Sequence, residues 1–398
     1  MASKNKFLQR LLMISNGLAF QLINAFSSAI IAYFVMANKY TLLWGKFAAI
    51  WVLISLFTIV FNFGSKDYLI KQYSTSLTRA IDLTKTNMIL RLPLLLACVA
   101  TSLFIFPFNE LLQINLILLS SFVLNSFHPL LIYEKRFKFL LFVELIAILA
   151  QLTFLFSLSE PLQLNYLIIS FLIYYLIKCF SLFFIYGIAL IPLSKQFNFY
   201  ELKPLLPFFF LALGGMLVNK ADFIVVTAIL DDISKAHYQI ISTFSTMGII
   251  AAHALLQPFM KEIYRINWSS FKSIATQYFM IGIVLSFLYT LLVYFAISVF
   301  FKFNLSIYSL VLMYAIELLF FATNPLIFFL FRNDKQHHLV TIILLAGTFT
   351  FLCACLLVKP FGINGALMAN LIGNCLIFIF LWFLKSRILK QLMAETAY

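Results

Sequence analysis

Residues 205–229 read LLPFFFLALGGMLVNKADFIVVTAI. The stretch is long enough to cross a bilayer core as a helix, which takes about 20 residues. Most of it is Leu, Phe, Val, Ile or Ala, yet Asn219, Lys220 and Asp222 stand just past its middle. Runs of the same apolar kind recur from end to end. Of 398 residues, 63% are hydrophobic and 11% charged, whereas soluble domains carry about 25% charged residues. So little polar surface cannot cover a water-soluble chain of this length, so the solvent is lipid. Backbone groups in lipid must be satisfied internally, and the runs lack the alternation of an outer-membrane barrel. The expected fold is an all-α integral membrane protein, with its 48 phenylalanines read as lipid-facing bulk.

Twelve transmembrane helices are expected, near 11–36, 43–63, 87–108, 111–132, 139–158, 164–191, 205–229, 237–260, 275–300, 306–330, 338–358 and 362–384. With the N-terminus inside, 21 of the 28 lysines and arginines fall on that side, five fall on the other, and Lys178 and Lys220 lie within spans. The positive-inside rule then places both termini in the cytoplasm. One missed or invented span would swap the sides and scramble this split. The formal charge of +14 is thus a matter of orientation, and nucleic acid is not an expected partner.

The outer loops are short, and the longest connections, near 64–86 and 259–274, are internal. The polar stretch LIPLSKQFNFYELKP (190–204) divides the chain. The expected domains are an N-terminal six-helix lobe, 1–192, a cytoplasmic linker, 193–204, and a C-terminal six-helix lobe, 205–398. Equal halves that start on the same side imply parallel repeats, a common transporter plan. The five cysteines show neither disulfide-framework nor zinc spacing, and no metal or cofactor is expected. The first apolar run is too long for the core of a cleaved signal, so it reads as an uncleaved span.

The ions inside the seventh span carry the functional question. A charge at the bilayer centre costs about 2.5–3.5 kcal/mol on insertion scales. Successive helical residues turn about 100°, so Lys220 and Asp222 leave the helix on different sides. Each needs a partner on another helix or in water. Asn219 and Asp222 share a face, and Gly214–Gly215 allow a bend or a close approach. A buried pair that only fixes packing is the bland alternative to a wet central path.

Polar residues at helical spacing recur in other spans. They include Gly17, Gln21, Asn24 and Ser28; Ser121, Asn125 and His128; Glu144; Tyr174, Lys178 and Ser181; Gln239, Thr243, Thr246 and His253; Tyr314, Glu317 and Asn324; and Asn370 with Asn374. One such stripe is ordinary interhelical glue. The set describes an interior that holds water and a polar substrate. Its cavity candidates are Lys220, Asn219, Lys178, Gln21, Asn24, Asn125 and His253. The cations Lys66, Lys71, Arg79, Lys85 and Arg91 are dense enough to gather an anion at a cytoplasmic mouth, although orientation and anionic lipid also account for them.

Three regions carry a family resemblance. They are YTLLWGKFAAIW (40–51) with FNFGSKDYLIKQYS (61–74); NKADFIVVTAIL (219–230) with AHYQIISTFSTMGIIAAHALLQPFMKEI (236–263); and KPFGINGALMANLIG (359–373). With these, nearly the whole chain resembles the Wzx-type O-antigen and polysaccharide flippases of the multidrug, oligosaccharidyl-lipid and polysaccharide exporter superfamily. The resemblance implies two six-helix lobes around a central, often cationic cavity. It implies movement of an undecaprenyl-pyrophosphate-linked oligosaccharide from the inner to the outer leaflet of the bacterial inner membrane.

It matches Asp222 to the family's early seventh-helix Asp, and Gly362, Asn364 and Gly365 to its Gly-Asn-Gly turn. Trp44–Gly45 replaces a commoner Tyr-Gly pair. In this reading Lys220 and Lys178 are phosphate counter-charges. Asp222, Glu144 and Glu317 are candidates for a coupling proton or sodium ion. A polysaccharide polymerase is a further implied partner.

Other classes remain in view. A polymerase or ligase acting on the same lipid-linked substrate needs a sizeable outer loop with acidic or basic catalytic groups, which this chain lacks. An enzyme is therefore not expected, and no catalytic residue is assigned. No GxxxxGK loop is present. A drug or cation antiporter of the same superfamily, and an exporter of capsule, exopolysaccharide or a teichoic-type polymer, stay open as alternatives.

Overall fold

The structure is a computed structural model, and it describes residues 2–75, 80–158, 161–187, 199–256, 268–333 and 335–395. The described residues are helical throughout, without a strand. The helices are α1 (Ala2–Ala37), α2 (Thr41–Asn62), α3 (Ser65–Thr75), α4 (Ala80–Ile105), α5 (Phe108–Tyr133) and α6 (Phe137–Ser157). They continue with α7 (Leu164–Tyr186), α8 (Leu206–Ile229), α9 (Asp232–Leu256), α10 (Trp268–Ala296), α11 (Ile307–Arg332) and α12 (Gln336–Glu395).

Among the described residues, ten helices are long and apolar enough to cross a membrane. One of them, His337–Ile388, runs for 52 residues. It is broken at Gly362, whose φ of 57° and ψ of −132° are not helical. Helix α9 has 25 residues and carries a polar run, Gln239, Ser242, Thr243, Ser245 and Thr246, across its middle. The chain is a multi-pass membrane protein. Large apolar side chains lie bare on its outside, Phe104 at 89% exposure and Phe184 at 90%, as lipid contact requires.

The boundaries differ from the expected ones where polar residues join a helix. The connection expected at 64–86 contains the 11-residue α3, and α4 begins at Ala80, not near 87. The helix expected from 275 starts at Trp268. It ends in a π turn, Ile297–Phe301, closed by Lys302 at φ 56°. Most of the expected linker, 193–198, lies outside the described residues, and the chain resumes as a 3₁₀ turn, Phe199–Leu205.

The chain forms two compact units, Met1–Ile31 with Lys46–Ala212, and Ala32–Gly45 with Leu213–Tyr398. In the first, α5 packs on α3, α4 and α7, and α6 packs on α7. Its core joins Phe20, Tyr73, Phe127, Leu140, Leu182 and Tyr186. The short α3 is tied to α4 by a 2.5 Å hydrogen bond between the Tyr73 and Thr84 hydroxyls.

In the second unit, α11 packs on α10, α12 and α9. Helix α8 crosses the first arm of α12 at two glycines. A Cβ on Gly347 would stand 2.6 Å from Cβ of Leu217, and one on Gly214 would stand 2.8 Å from Cγ2 of Ile343. Gly214 and Gly347 thus permit a close approach, as small residues do between membrane helices, whereas a Cβ on Gly215 would meet nothing within 4 Å. The break in α12 folds back on itself. A Cβ on Gly365 would lie 2.0 Å from the Leu357 carbonyl oxygen, and Asn364 Oδ1 accepts a 2.6 Å hydrogen bond from the Ser309 hydroxyl.

Candidate functional site

Each unit holds a buried carboxylate with several hydrogen-bond donors around it. In the first unit, Glu144 on α6 is wholly buried. Tyr174 and Lys178 lie four residues apart on α7, so both project from one face toward it. The Lys178 ammonium donates to Glu144 Oε2 at 2.7 Å and to the Tyr174 hydroxyl oxygen at 2.9 Å. The Tyr174 hydroxyl donates its single proton to Glu144 Oε1. Asn24 Oδ1 on α1 is a second acceptor, 3.1 Å from that hydroxyl. An ion pair taken out of water holds only when its remaining donors and acceptors are also met, and here the Tyr174 hydroxyl both donates to Glu144 and accepts from Lys178.

The centre lines a cavity of about 170 Å³ whose walls include Asn24, Asn125, His128, Tyr175 and Ser181. Asn125 donates to the Ser121 carbonyl at 2.8 Å and lies 3.2 Å from the Ser121 hydroxyl. His128 packs on Phe20 at 5.9 Å between ring centroids. Lys66 and Lys178 both lie close enough for their charges to act on His128.

The second unit solves the same problem differently. Asp222 is buried, and neutral donors surround it. The Phe223 N–H gives Oδ1 a 2.7 Å bond, and Asn370 Nδ2 gives Oδ2 a 2.9 Å bond. The Tyr238 hydroxyl donates to Oδ2 as well. Asn374 backs Asn370 by donating to its Oδ1 at 2.8 Å. Lys220 does not pair with Asp222; its ammonium donates to the Ser242 hydroxyl at 3.0 Å. Asp222, Asn219, Tyr238, Ser242 and Asn370 line a space of about 20 Å³, room for a single water.

Of the residues singled out from sequence, Lys178, Asn24, Asn125 and Glu144 meet at the first centre, and Asn219, Lys220 and Asp222 lie together at the second. Glu317 is buried on α11, and its Oε1 has no hydrogen-bond partner among the described residues. It faces Gly248 of α9, where a Cβ would come 2.8 Å from Oε1. Gln21 and His253 are exposed on α1 and α9 and line neither cavity.

Only part of the expected mouth of cations lies within the described residues. Lys66 is exposed on α3, while Arg79 and the Lys71 side chain lie outside the described residues. Arg91 is no mouth residue, because it is wholly buried within α4. Its guanidinium donates to the carbonyls of Phe61 and Asn62, both at 3.4 Å, at the C-terminal end of α2. It also donates to the Ser126 hydroxyl at 2.7 Å and lies 5.2 Å from the centre of the Phe122 ring. A helix C-terminus favours a cation, so Arg91 pins α2 to α4 and α5.

Sequence reading missed Tyr238 and Ser242, since a Tyr or Ser on the next helix carries no signal of its partner. Among the described residues no three His, Cys, Asp or Glu side chains gather in a way that could hold a metal ion.

No family model and no curated protein matches the sequence. Solved structures do match. A multidrug resistance MATE family transporter of the MOP superfamily, in an inward-facing conformation, aligns over 96% of both chains at 12% identity with a TM-score of 0.60. The MATE multidrug transporter DinF-BH aligns over 94% of both chains at 13% identity with a TM-score of 0.62. A MATE protein in complex with Br-NRF aligns over 94% of both at 12% identity, with a TM-score of 0.52. The chain therefore has the fold of MATE multidrug transporters, end to end.

Proposed function

We propose that the protein is an alternating-access transporter of the bacterial inner membrane that moves an undecaprenyl-pyrophosphate-linked oligosaccharide, O-antigen or a similar repeat unit, from the cytoplasmic to the periplasmic leaflet. Twelve crossings, six in each of two lobes, 1–192 and 205–398, are part of this proposal; α9 and both arms of α12 would be counted among them. The observation that carries the reading is the cavity of the first unit. It combines what a phosphorylated glycan needs: an ammonium at Lys178, amides at Asn24 and Asn125, and the aromatic faces of Tyr174 and Tyr175. Pyrophosphate and sugar hydroxyls cannot cross hydrocarbon unaided.

Glu144 holds Lys178 in the structure. A pyrophosphate competes with Glu144 for that ammonium, and a carboxylate so released takes a proton or sodium ion. Binding of substrate and of ion are then linked, and linkage of this kind is reciprocal.

A second reading is a drug or cation antiporter. It rests on the multidrug transporters among the structural neighbours and on two buried acids of the second unit, Asp222 and Glu317, which form no ion pair among the described residues. Deleting the gene separates the two. The flippase reading expects loss of surface glycan and accumulation of its lipid-linked precursor, both restored by the native chain and not by Lys178→Ala. Intact glycan together with raised accumulation of a cationic dye would replace it with the antiporter.

A further inference from the structure

Unit two holds another cavity, of about 260 Å³, away from Asp222. Phe271 and Phe279 of α10, Phe321 and Leu326 of α11, and Phe378 and Trp382 of α12 make its walls apolar. Two lysines complete it. Lys272, Thr276 and Phe279 follow i, i+4, i+7 along the first turns of α10, and Phe378, Trp382 and Lys385 follow i, i+4, i+7 along the second arm of α12. Each helix therefore sets an apolar strip with a lysine at one end.

The Lys385 ammonium lies 3.3 Å from the centre of the Trp382 ring, and Trp382 itself is 50% exposed. Lys272 and Lys385 line the same cavity, close enough for their charges to repel one another. Two like charges at the end of an apolar groove fit one kind of occupant, a long hydrocarbon chain with an anionic head. Both lysines fall on the side that the charge bias assigns to the cytoplasm. The anionic lipids of that leaflet are attracted to basic pockets between helices, and a half-exposed Trp is a typical residue at headgroup depth.

We propose that this groove binds an anionic glycerophospholipid, with an acyl chain against Phe271, Phe321 and Trp382 and the phosphate between Lys272 and Lys385. The site is independent of the transport reading. Its ligand would be a resident lipid that braces α10, α11 and the second arm of α12.

Native mass spectrometry of the detergent-purified protein, titrated with dioleoylphosphatidylglycerol or dioleoylphosphatidylcholine, tests it. Preferential retention of phosphatidylglycerol is expected, with affinity falling about fivefold for each of Lys272→Gln and Lys385→Gln. Ala275→Phe, which fills the groove, should lower retention of both lipids. A thermal melt of each variant identifies any that fail to fold, and the two lysine variants keep the test alive if Ala275→Phe does. Equal retention of the two lipids by the native protein would overturn the proposal. So would phosphatidylglycerol binding unchanged in the double lysine variant. Displacement of phosphatidylglycerol by an equal concentration of a polyprenyl phosphate would assign the groove to a transport substrate and overturn it as well.

Discussion

Each unit buries a hydrogen-bonded carboxylate, Glu144 in the first and Asp222 in the second, and they are stabilised by opposite means. Glu144 faces an ammonium, with Lys178 Nζ at 2.7 Å. Asp222 faces a tyrosine, an asparagine and a backbone N–H, while the nearby Lys220 turns to Ser242. Hydrogen-bond donors stabilise a buried charge without cancelling it. An ion pair cancels it, but binds two side chains to each other's fate. On the proposed function the first centre would act as a switch that a competing anion opens, and the second as a polar socket held by hydrogen bonds. One lysine is held by its carboxylate and the other by a hydroxyl and, at 5.9 Å, the Phe223 ring, a difference that spacing along the sequence does not show.

The largest effect should come from breaking the ion pair on one side. Glu144→Gln or Lys178→Met alone leaves a buried charge uncompensated, and each is expected to cost about 3–5 kcal/mol. The double variant should recover most of the loss. Thermal unfolding in detergent reads this as a coupling energy between the two sites. Additive losses would mean that the pair contributes no more than its parts. In the second unit, Lys220→Ala and Asp222→Ala should abolish surface glycan while protein level is kept. Normal glycan in both variants would reduce that centre to packing.

The next effect concerns how the socket is held. Gly347→Leu forces a Cβ into the Leu217 side chain, 2.6 Å away, and overpacking of this sort costs about 1–3 kcal/mol. Helix α8 carries Asp222, so the same change should impair transport more than an equal destabilisation placed in the first unit. If both changes impair transport alike, the socket needs no precise α8 position.

These tests also show what was legible in the sequence. Apolar runs of spanning length and the bias of cations fixed the expectation of a helical membrane protein, because both follow from the solvent and not from partners. The intramembrane ions were visible for the same reason, since a charge in an apolar run is conspicuous. Their partners were not. Glu144 and Lys178 lie 34 positions apart, and Asp222 and Asn370 lie 148 apart, so only the packing of helices brings them together. Arg91 misled because it stands near one end of the expected span 87–108, where a cation reads as a mouth residue. Only the packing of α2 and α5 on α4 shows that its guanidinium meets the carbonyls that end α2 and the Ser126 hydroxyl. The donors Tyr238 and Ser242 are ordinary helix residues until Asp222 and Lys220 face them.

The smallest expected effect lies at the start of α9, the helix that brings Tyr238 and Ser242 to the socket. Asp231 precedes that helix. It accepts the Ser234 N–H at 2.9 Å and the Ser234 hydroxyl at 2.9 Å, the pattern of an N-terminal cap. These two donors hold the Asp231 carboxyl below the usual carboxylate range. Its contribution is therefore complete above the unfolded value of about pH 4 and is lost as pH falls through the lower folded value. Asp231→Ala should cost about 1 kcal/mol at neutral pH, and the difference from the native chain should shrink in strong acid. The first unit, which lacks this cap, should keep its stability in the variant. Equal loss of protection from hydrogen exchange in α6 and α9 would show that the two centres are not held independently, and the contrast between a switch and a socket would then fail.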